Sequence, residues 1–510
     1  MVKVKTNKTT MLNTSFEVPL GWVKELNFFD LTGEKAHTRG TSSKFYHIEL
    51  QVAPDGNCQI FTQYGPTGTT RPTQEWRYFA NDRSGAEVEF ESIVKSKTKK
   101  GYKEIDVAQR AHGSTEAQKQ TKAVVLKNAA DIPKPAKSAL SDAQKSIVSL
   151  FFSAQDTWVA QVLKCPLGQL TNQQIDLGRE TLDKAKIIVN ATTGSLSKDQ
   201  IVQIDDLTND FYGLIPHNLG SGARGQMTHL RLDSLDKIVA KEGDLDTLLD
   251  AKQVNAVLKQ DSTIDDKYKS LNCGFDEGPG GSDLFKFLSE YFEGSKVSGH
   301  GYGSSKVTRI WSMKRQDAKE SAFMTNAERI AIEAGKHTFA TDTSNLSSGK
   351  SKLWTPDNRP DLSKEQKALF KKANVWLCWH GTRSANLVGI TRRGLMIRPT
   401  GAVYTGSLFG DGKYFAWQST KSLNYCDGGY WTGGGRGSVQ KRYMFLLDCA
   451  FGNLYQTTNS QFFKGPPKGY HSVYGKSGYH STLRNDEMIT YDFDDKDNQS
   501  SIRYLFEVTG

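Results

Sequence analysis

The chain has 510 residues, 37% apolar and 10% aromatic, which is too much core-forming material for a disordered protein and too long for a single core. Its net charge of +10 and pI near 9.0 point toward polyanionic partners. The sequence has no apolar run long enough to span a membrane, and MVKVKTNKTTMLNTSFEV lacks the apolar core of a signal peptide. The expectation is therefore a protein of about three domains, neither secreted nor partnered with a membrane.

Residues 44–52, KFYHIELQV, alternate and predict a strand with Tyr46, Ile48, Leu50 and Val52 on one face, closed by the turn APDG. CQIFTQYGPTG and TQEWRYF predict two more strands. GAEVEFESIVKSK predicts a helix with Val88, Phe90, Ile93 and Val94 on its buried side. Together they make a small β-sheet-plus-helix module over 25–112. Residues 91–140 hold eleven Lys or Arg against five Asp or Glu, and the polar segment 113–138 reads as a linker.

From Ser141 the period becomes helical. Ile147, Leu150, Phe151, Ala154 and Trp158 form one stripe behind a Ser141 cap, and Thr171 and Ser197 open further helices. Leu232, Leu235 and Val239, then Leu245, Leu248 and Leu249, continue the pattern, so 139–260 is predicted to be an all-α bundle. Beyond Gly274 short β-rich runs take over: KVTRIWSMKR, NVWLCWHG and KRYMFLLDCAFG. They predict a mainly-β domain over 270–510, with a polar insertion at about 318–372 carrying one or two helices. The fold class is thus α+β and multidomain. Cysteines at 58, 165, 273, 378, 426 and 449 include no C-x-x-C pair, so free thiols and no metal site are expected.

The chemistry concentrates near the C-terminus. LCWHGTRSANLVGI ends an apolar strand at His380 and Gly381. FGDGKYFA sets Tyr414 after two glycines, KSLNYC supplies Ser422 and Tyr425, and NDEMITYD opens an apolar strand with Glu487. Singly, each has a structural reading as core aromatic, surface ring or strand-edge charge. In order, and with GLMIRP, GNLYQ and PPKGYHSVYG, they resemble the catalytic domain of the poly(ADP-ribose) polymerases, the diphtheria-toxin-like ADP-ribosyltransferases. CPLGQLTNQQI, LTNDFYGLIPH and LDTLLD resemble the family's helical regulatory domain, and SKFYHIELQV with QEWRYF resembles a WGR domain.

The resemblance implies an NAD+ ADP-ribosyltransferase that consumes NAD+ as substrate, uses no cofactor and makes poly(ADP-ribose) on protein acceptors, itself included, in response to DNA strand breaks. It implies a His380, Tyr414 and Glu487 catalytic set. Glu487 would stabilise the charge that develops on the ribose and polarise the acceptor hydroxyl, and His380 would hold the adenosine ribose. Gly381 and Ser422 would meet the nicotinamide carboxamide, while Tyr425 and Tyr414 would flank the ring. Thr382, Arg398 and Ala416 complete the implied NAD+ site. Leu245, Asp246, Leu248, Leu249 and Asp250 fall in the implied regulatory helix. Tyr64, Lys95, Lys97, Lys99 and Lys100 are the candidate DNA contacts, the lysines reading equally well as a solvated helix end.

Three departures from the family pattern bear on function. Tyr64-Gly65-Pro66 stands where the WGR domain has Trp-Gly-Arg, which removes one guanidinium from the DNA face. The segment between Tyr470 and Glu487 is short, which leaves a mono-ADP-ribosyltransferase as the competing product reading. Met396 stands where relatives often have an Arg, with Arg398 two residues on. A catalytically silent DNA-binding scaffold is the reading from another class, and the intact His380, Tyr414 and Glu487 argue against it. The glycine clusters GPGG (278–281), GHGYG (299–303) and GGGRG (433–437) do not form a dinucleotide-binding fingerprint, so a dehydrogenase is not expected. The implied location is the nucleus in a eukaryotic host and the cytoplasm otherwise.

Overall fold

Alternation and capping place the elements. The computed structural model describes residues 4–5, 17–19, 21–32, 35, 41–67, 71–105, 138–163, 167, 170–192, 194–218, 228–258, 262–278, 282–316, 318–334, 355–397, 408–410, 412–429, 441–478, 480–481, 483, 485–492 and 498–510. They fall into two compact units: Met1–Ala136 with Trp158–Lys252, and Lys137–Thr157 with Gln253–Gly510.

The first unit holds a six-stranded antiparallel sheet, in the order β1 (Val4–Lys5), β5 (Thr73–Phe79), β4 (Cys58–Pro66), β3 (Ser42–Val52), β2 (Val23–Asp30), β6 (Lys103–Ile105). Helix α1 (Arg83–Lys99), capped by Asp82, lies on one face. Its Phe90, Ile93 and Val94 pack with Tyr46, Ile48 and Leu50 of β3. Val88 is a correction to the predicted face: it is 69% exposed, because a residue two positions from Phe90 points to the opposite side of a helix with 3.6 residues per turn, and Ala86 takes its place. The alternation of β3 holds for Tyr46, Ile48 and Leu50, while Val52 is only partly buried. The opposite face is not solvated either, since His47 and Glu49 are buried there, and His47 is bonded to both Glu25 and Glu49.

Helices α2 (Asp142–Val162), α3 (Asn172–Asn190), α4 (Lys198–Leu214) and α5 (Leu235–Val257) follow. Ser141, Thr171 and Ser197 cap the first three as predicted, each with a reciprocal Gln three residues on. The predicted α2 stripe shifts, however. Ile147, Val148, Phe151, Phe152 and Gln155 are buried, whereas Leu150, Ala154 and Trp158 are half-buried. The core of the first unit's helices gathers Ile175, Leu182, Phe211, Leu245 and Leu248 with Phe29 and Leu31 from the end of β2. Within it Lys186 and Glu242 form a fully buried ion pair at 2.7 Å.

The second unit contains two sheets. One runs β7 (Cys273–Glu277), β8 (Lys306–Arg315), β15 (Ser500–Thr509), β11 (Lys441–Ala450), β9 (Val375–Gly381), all antiparallel. The other runs β10 (Lys413–Phe415), β14 (Glu487–Thr490), β13 (Ser472–Gly475), β12 (Leu454–Thr457), with a parallel β12–β13 pair. Around them lie α6 (Ile264–Ser270), α7 (Asp283–Gly294), α8 (Ala318–Ala334), α9 (Lys364–Lys372), α10 (Leu387–Arg393) and α11 (Ser419–Leu423). Helices α8 and α9 belong to the insertion read at about 318–372; residues 335–354 of it lie outside the described residues. So do most of the linker read at 113–138, GGGRG, part of GPGG, and Cys165. The other five cysteines are buried free thiols.

Candidate active site

The strand carrying the histidine is anchored from its own core. Trp379 stacks on Tyr291 at a centroid distance of 5.3 Å and donates its indole N–H to Ser295 Oγ at 3.1 Å. Main-chain bonds in both directions between Trp379 and Ala416 then tie the end of β9 to the residue after β10. Ser419, the first residue of α11, is bonded to Ser295 O and Phe292 O. The ends of β9, β10 and α11 therefore converge, and β14 joins them through its pairing with β10, Tyr414 opposite Ile489 and Phe415 opposite Met488.

His380 follows Trp379, and its Nδ1 lies 3.1 Å from the carbonyl of Tyr414. A carbonyl only accepts, so Nδ1 carries the proton and Nε2 keeps its lone pair as an acceptor. Burial holds the pKa of His380 below the ordinary histidine value, partly offset by that bond, which keeps the ring neutral. Gly381 is required by its neighbour: a Cβ there would sit 1.8 Å from the Ser422 carbonyl oxygen. Absence of a side chain thus lets α11 close onto the strand end and brings Ser422 to Gly381. The buried Thr382 accepts from Asn386 at 3.0 Å.

Tyr414 accepts from the Phe409 N–H at 3.0 Å and donates to the Gly410 carbonyl at 2.9 Å, so its hydroxyl staples the turn before its own strand. Gly410 takes a φ of +82°, and a Cβ there would meet the Phe463 backbone. Tyr425 is 40% exposed, leaving ring surface for stacking. Its hydroxyl pKa is pushed up by burial and then by the Glu487 charge. Glu487 opens β14 opposite Gly475, and its Oε2 lies 2.6 Å from Lys421 Nζ. Lys421 was missed in sequence. It sits one residue before Ser422 on a five-residue helix, and only the fold shows that its nearly buried ammonium reaches Glu487. Arg398 lies outside the described residues, and Met396 is exposed.

In the first unit Tyr64 stacks on Tyr46 at 5.3 Å and donates its hydroxyl to Glu75 at 2.7 Å. That hydrogen bond, then burial, pushes its pKa up to about 12. Lys97 is not displayed as a free charge: its Nζ sits 3.8 Å over Tyr46 and within 6 Å of Tyr64 and Tyr102. Burial and then Lys100 lower its pKa. Lys95, Lys99 and Lys100 are exposed. On α5, Leu245 and Leu248 are fully buried, Leu249 packs at the edge of the same core, Asp250 is half-buried, and Asp246 accepts from Arg179 at 2.6 Å.

The sequence matches three family models in order: the WGR domain over 29–109, the poly(ADP-ribose) polymerase regulatory domain over 147–273 and the poly(ADP-ribose) polymerase catalytic domain over 282–505. The chain belongs to the poly(ADP-ribose) polymerase family. Among similar proteins, poly(ADP-ribose) polymerase 1 of Gallus gallus is 28% identical over 66% of this chain and 29% of its own length. Poly(ADP-ribose) polymerase 1 of Xenopus laevis is 26% identical over 86% of this chain and 39% of its own, and poly(ADP-ribose) polymerase 2-A of Oryza sativa subsp. japonica 24% over 88% and 61%. The chain thus spans less than two thirds of the length of these relatives. The catalytic-domain match contains His380, Tyr414, Lys421 and Glu487, and the WGR match contains Tyr64 and the four candidate lysines.

Proposed function

We propose that this chain is an NAD+ ADP-ribosyltransferase that builds poly(ADP-ribose) on protein acceptors, itself included, and is stimulated by DNA breaks. The observation carrying this reading is the convergence of His380, Tyr414, Ser422 and Glu487 at the neighbouring ends of β9, β10, α11 and β14, with Tyr425 three residues beyond Ser422. NAD+ enters as substrate. The bond from ribose C1′ to the nicotinamide nitrogen breaks, nicotinamide leaves with the electron pair, and the ribose passes through an oxocarbenium-like state. Glu487, negative and on a fixed strand, stabilises that charge and accepts a hydrogen bond from the attacking hydroxyl, whose proton passes to solvent as the new C1′–O bond forms. The Nε2 lone pair of neutral His380 accepts from a ribose hydroxyl. Gly381 and Ser422 meet the carboxamide, Thr382, Ala416 and Arg398 complete the dinucleotide site, and Tyr425 and Tyr414 bracket the nicotinamide ring.

The WGR match and the exposed Lys95, Lys99 and Lys100 support DNA strand breaks as the partner. Among the described residues no helix is long and apolar enough to cross a membrane, and no group of three His, Cys, Asp or Glu is placed to hold a metal. In a eukaryotic host the site of action would be the nucleus. The test is incubation with labelled NAD+, with and without nicked DNA, followed by gel separation. A ladder that intensifies with DNA is expected. One shifted band would make the protein a mono-transferase, and no label would leave a DNA-binding scaffold. Glu487→Gln should abolish elongation while NAD+ affinity, measured by direct titration, stays within about threefold. Elongation at near wild-type rate would remove Glu487 from its role.

A further inference from the structure

Asp486, immediately before Glu487, is a buried carboxylate with every acceptor position used. Its Oδ2 accepts from Trp417 Nε1 at 2.7 Å and from the Tyr474 hydroxyl at 2.9 Å. Its Oδ1 accepts from the Ser477 backbone N–H at 2.9 Å and the Ser477 hydroxyl at 2.7 Å. A carboxylate offers about four lone-pair sites, so none is left for a substrate. These donors come from separate places in the fold: the residue pair after β10, the middle of β13, and the loop leaving β13. The backbone carbonyl of Asp486 receives Lys421 Nζ at 2.5 Å, the same ammonium that pairs with Glu487. One residue earlier, Asn485 Oδ1 lies 2.8 Å from His300 Nε2, and His300 Nδ1 lies 2.9 Å from Thr420 Oγ1 on α11.

Glu487 is the first residue of β14, where strand pairing secures the chain on its C-terminal side only. On its N-terminal side the chain is a loop held at Asn485 by His300 and at the Asp486 carbonyl by Lys421, and a catalytic group displaced by about 1 Å loses on the order of a hundredfold in rate. The Asp486 side chain adds four hydrogen bonds to that hold. We infer that Asp486 is a positioning residue: through Trp417, Tyr474 and Ser477 it fixes the entry into β14, and with Lys421 it aims the Glu487 carboxylate. The inference rests on the catalytic reading of Glu487 above. It also accounts for a buried, fully satisfied charge beside the site, since a buried carboxylate is costly unless fully hydrogen-bonded, and this one, once bonded, holds a single geometry.

The test is steady-state nicotinamide release from NAD+ by the full chain. Asp486→Ala should lower kcat by about 30- to 100-fold with the KM for NAD+ within about threefold, and Asp486→Asn, which keeps the shape and one good acceptor, should recover part of that loss. Tyr474→Phe, which deletes one hydroxyl and leaves the ring packed, should show a smaller loss of the same kind and carries the test if Asp486→Ala melts early by circular dichroism. The decisive measurement is in the Glu487→Gln background. There Asp486→Ala, and equally Tyr474→Phe, should cost almost nothing more, because the network acts through the carboxylate already removed. A further loss as large as in the wild-type background, or single variants within twofold of wild-type kcat, would overturn the inference. A wild-type chain that releases no nicotinamide would instead sink the functional reading and this one with it.

Discussion

His47 is a buried imidazole and His380 a half-buried one, and their partners send them in opposite directions. Among the described residues the His380 ring is hydrogen-bonded to a carbonyl and to no carboxylate, so burial prevails and its pKa falls. As pH drops through that lowered value the ring gains a proton and Nε2 ceases to accept. The KM for NAD+ should therefore stay level as pH passes the ordinary histidine value near 6.5 and rise only below it. A break at the ordinary value, in a pH series of initial rates, would contradict the neutral ring. For His47, burial pulls the pKa down but Glu25 and Glu49 outweigh it and lift it to about 9. A raised folded-state pKa gives stability that is complete below the unfolded value near 6.5 and lost as pH climbs to about 9, a span worth on the order of 3 kcal/mol. Urea melts at both ends of that window should show a larger loss for wild type than for His47→Gln.

At the scale of elements, the caps were readable and the faces less so. Ser141, Thr171 and Ser197 cap because the hydroxyl accepts from the N–H of a Gln three residues on and that Gln's side chain accepts from the cap residue's own N–H, whatever the rest of the fold does. Which side of a helix is buried depends on what it meets, and α1 shows the difference. Phe90 is fully buried and Val88 is 69% exposed. Phe90→Ala should cost about 3–5 kcal/mol, and Val88→Glu should fall within about 0.5 kcal/mol of wild type. Equal destabilisation by the two in denaturant melts would mean that the face is misassigned. The same reasoning explains β3. Its period-2 pattern announces one buried face, yet His47 and Glu49 are buried on the other because Glu25 from β2 supplies a second ionic partner for the imidazole, a pairing made across strands.

On the whole-molecule scale, the proposed control by DNA makes a prediction about the helical segment. Leu248 is fully buried in the core that also contains Leu245, Leu182 and Phe211, and truncation there costs about 2–5 kcal/mol. If the helical segment restrains the transferase until DNA loosens it, that cost is enough to shift a balance of a few kcal/mol. Leu248→Ala should then incorporate ADP-ribose without DNA, measured beside wild type with circular dichroism as the control for folding. A variant that remains folded and silent without DNA would make the helical segment a passive spacer.

The sequence by itself determined the kinds of elements, their order and the runs that resemble the poly(ADP-ribose) polymerase catalytic domain. Those properties reside in local periodicity, in caps and in short runs such as LCWHGTRSANLVGI and NDEMITYD, each legible without its neighbours. Tertiary structure alone decided what those residues touch. Nothing near Lys421 in the chain indicates that its ammonium reaches Glu487, 66 positions later, or that Trp417 and Tyr474 converge on Asp486. Gly381 reads as a backbone contact for the carboxamide until the fold also brings the Ser422 carbonyl into the space a Cβ would fill. Lys97 likewise reads as one more surface cation until three tyrosines, from β3, β4 and the residue before β6, surround it. The physical reason is common to all of them. Burial, ion pairing and close backbone approach are set by groups far apart in sequence, and only packing brings those groups within the few ångströms over which such interactions act.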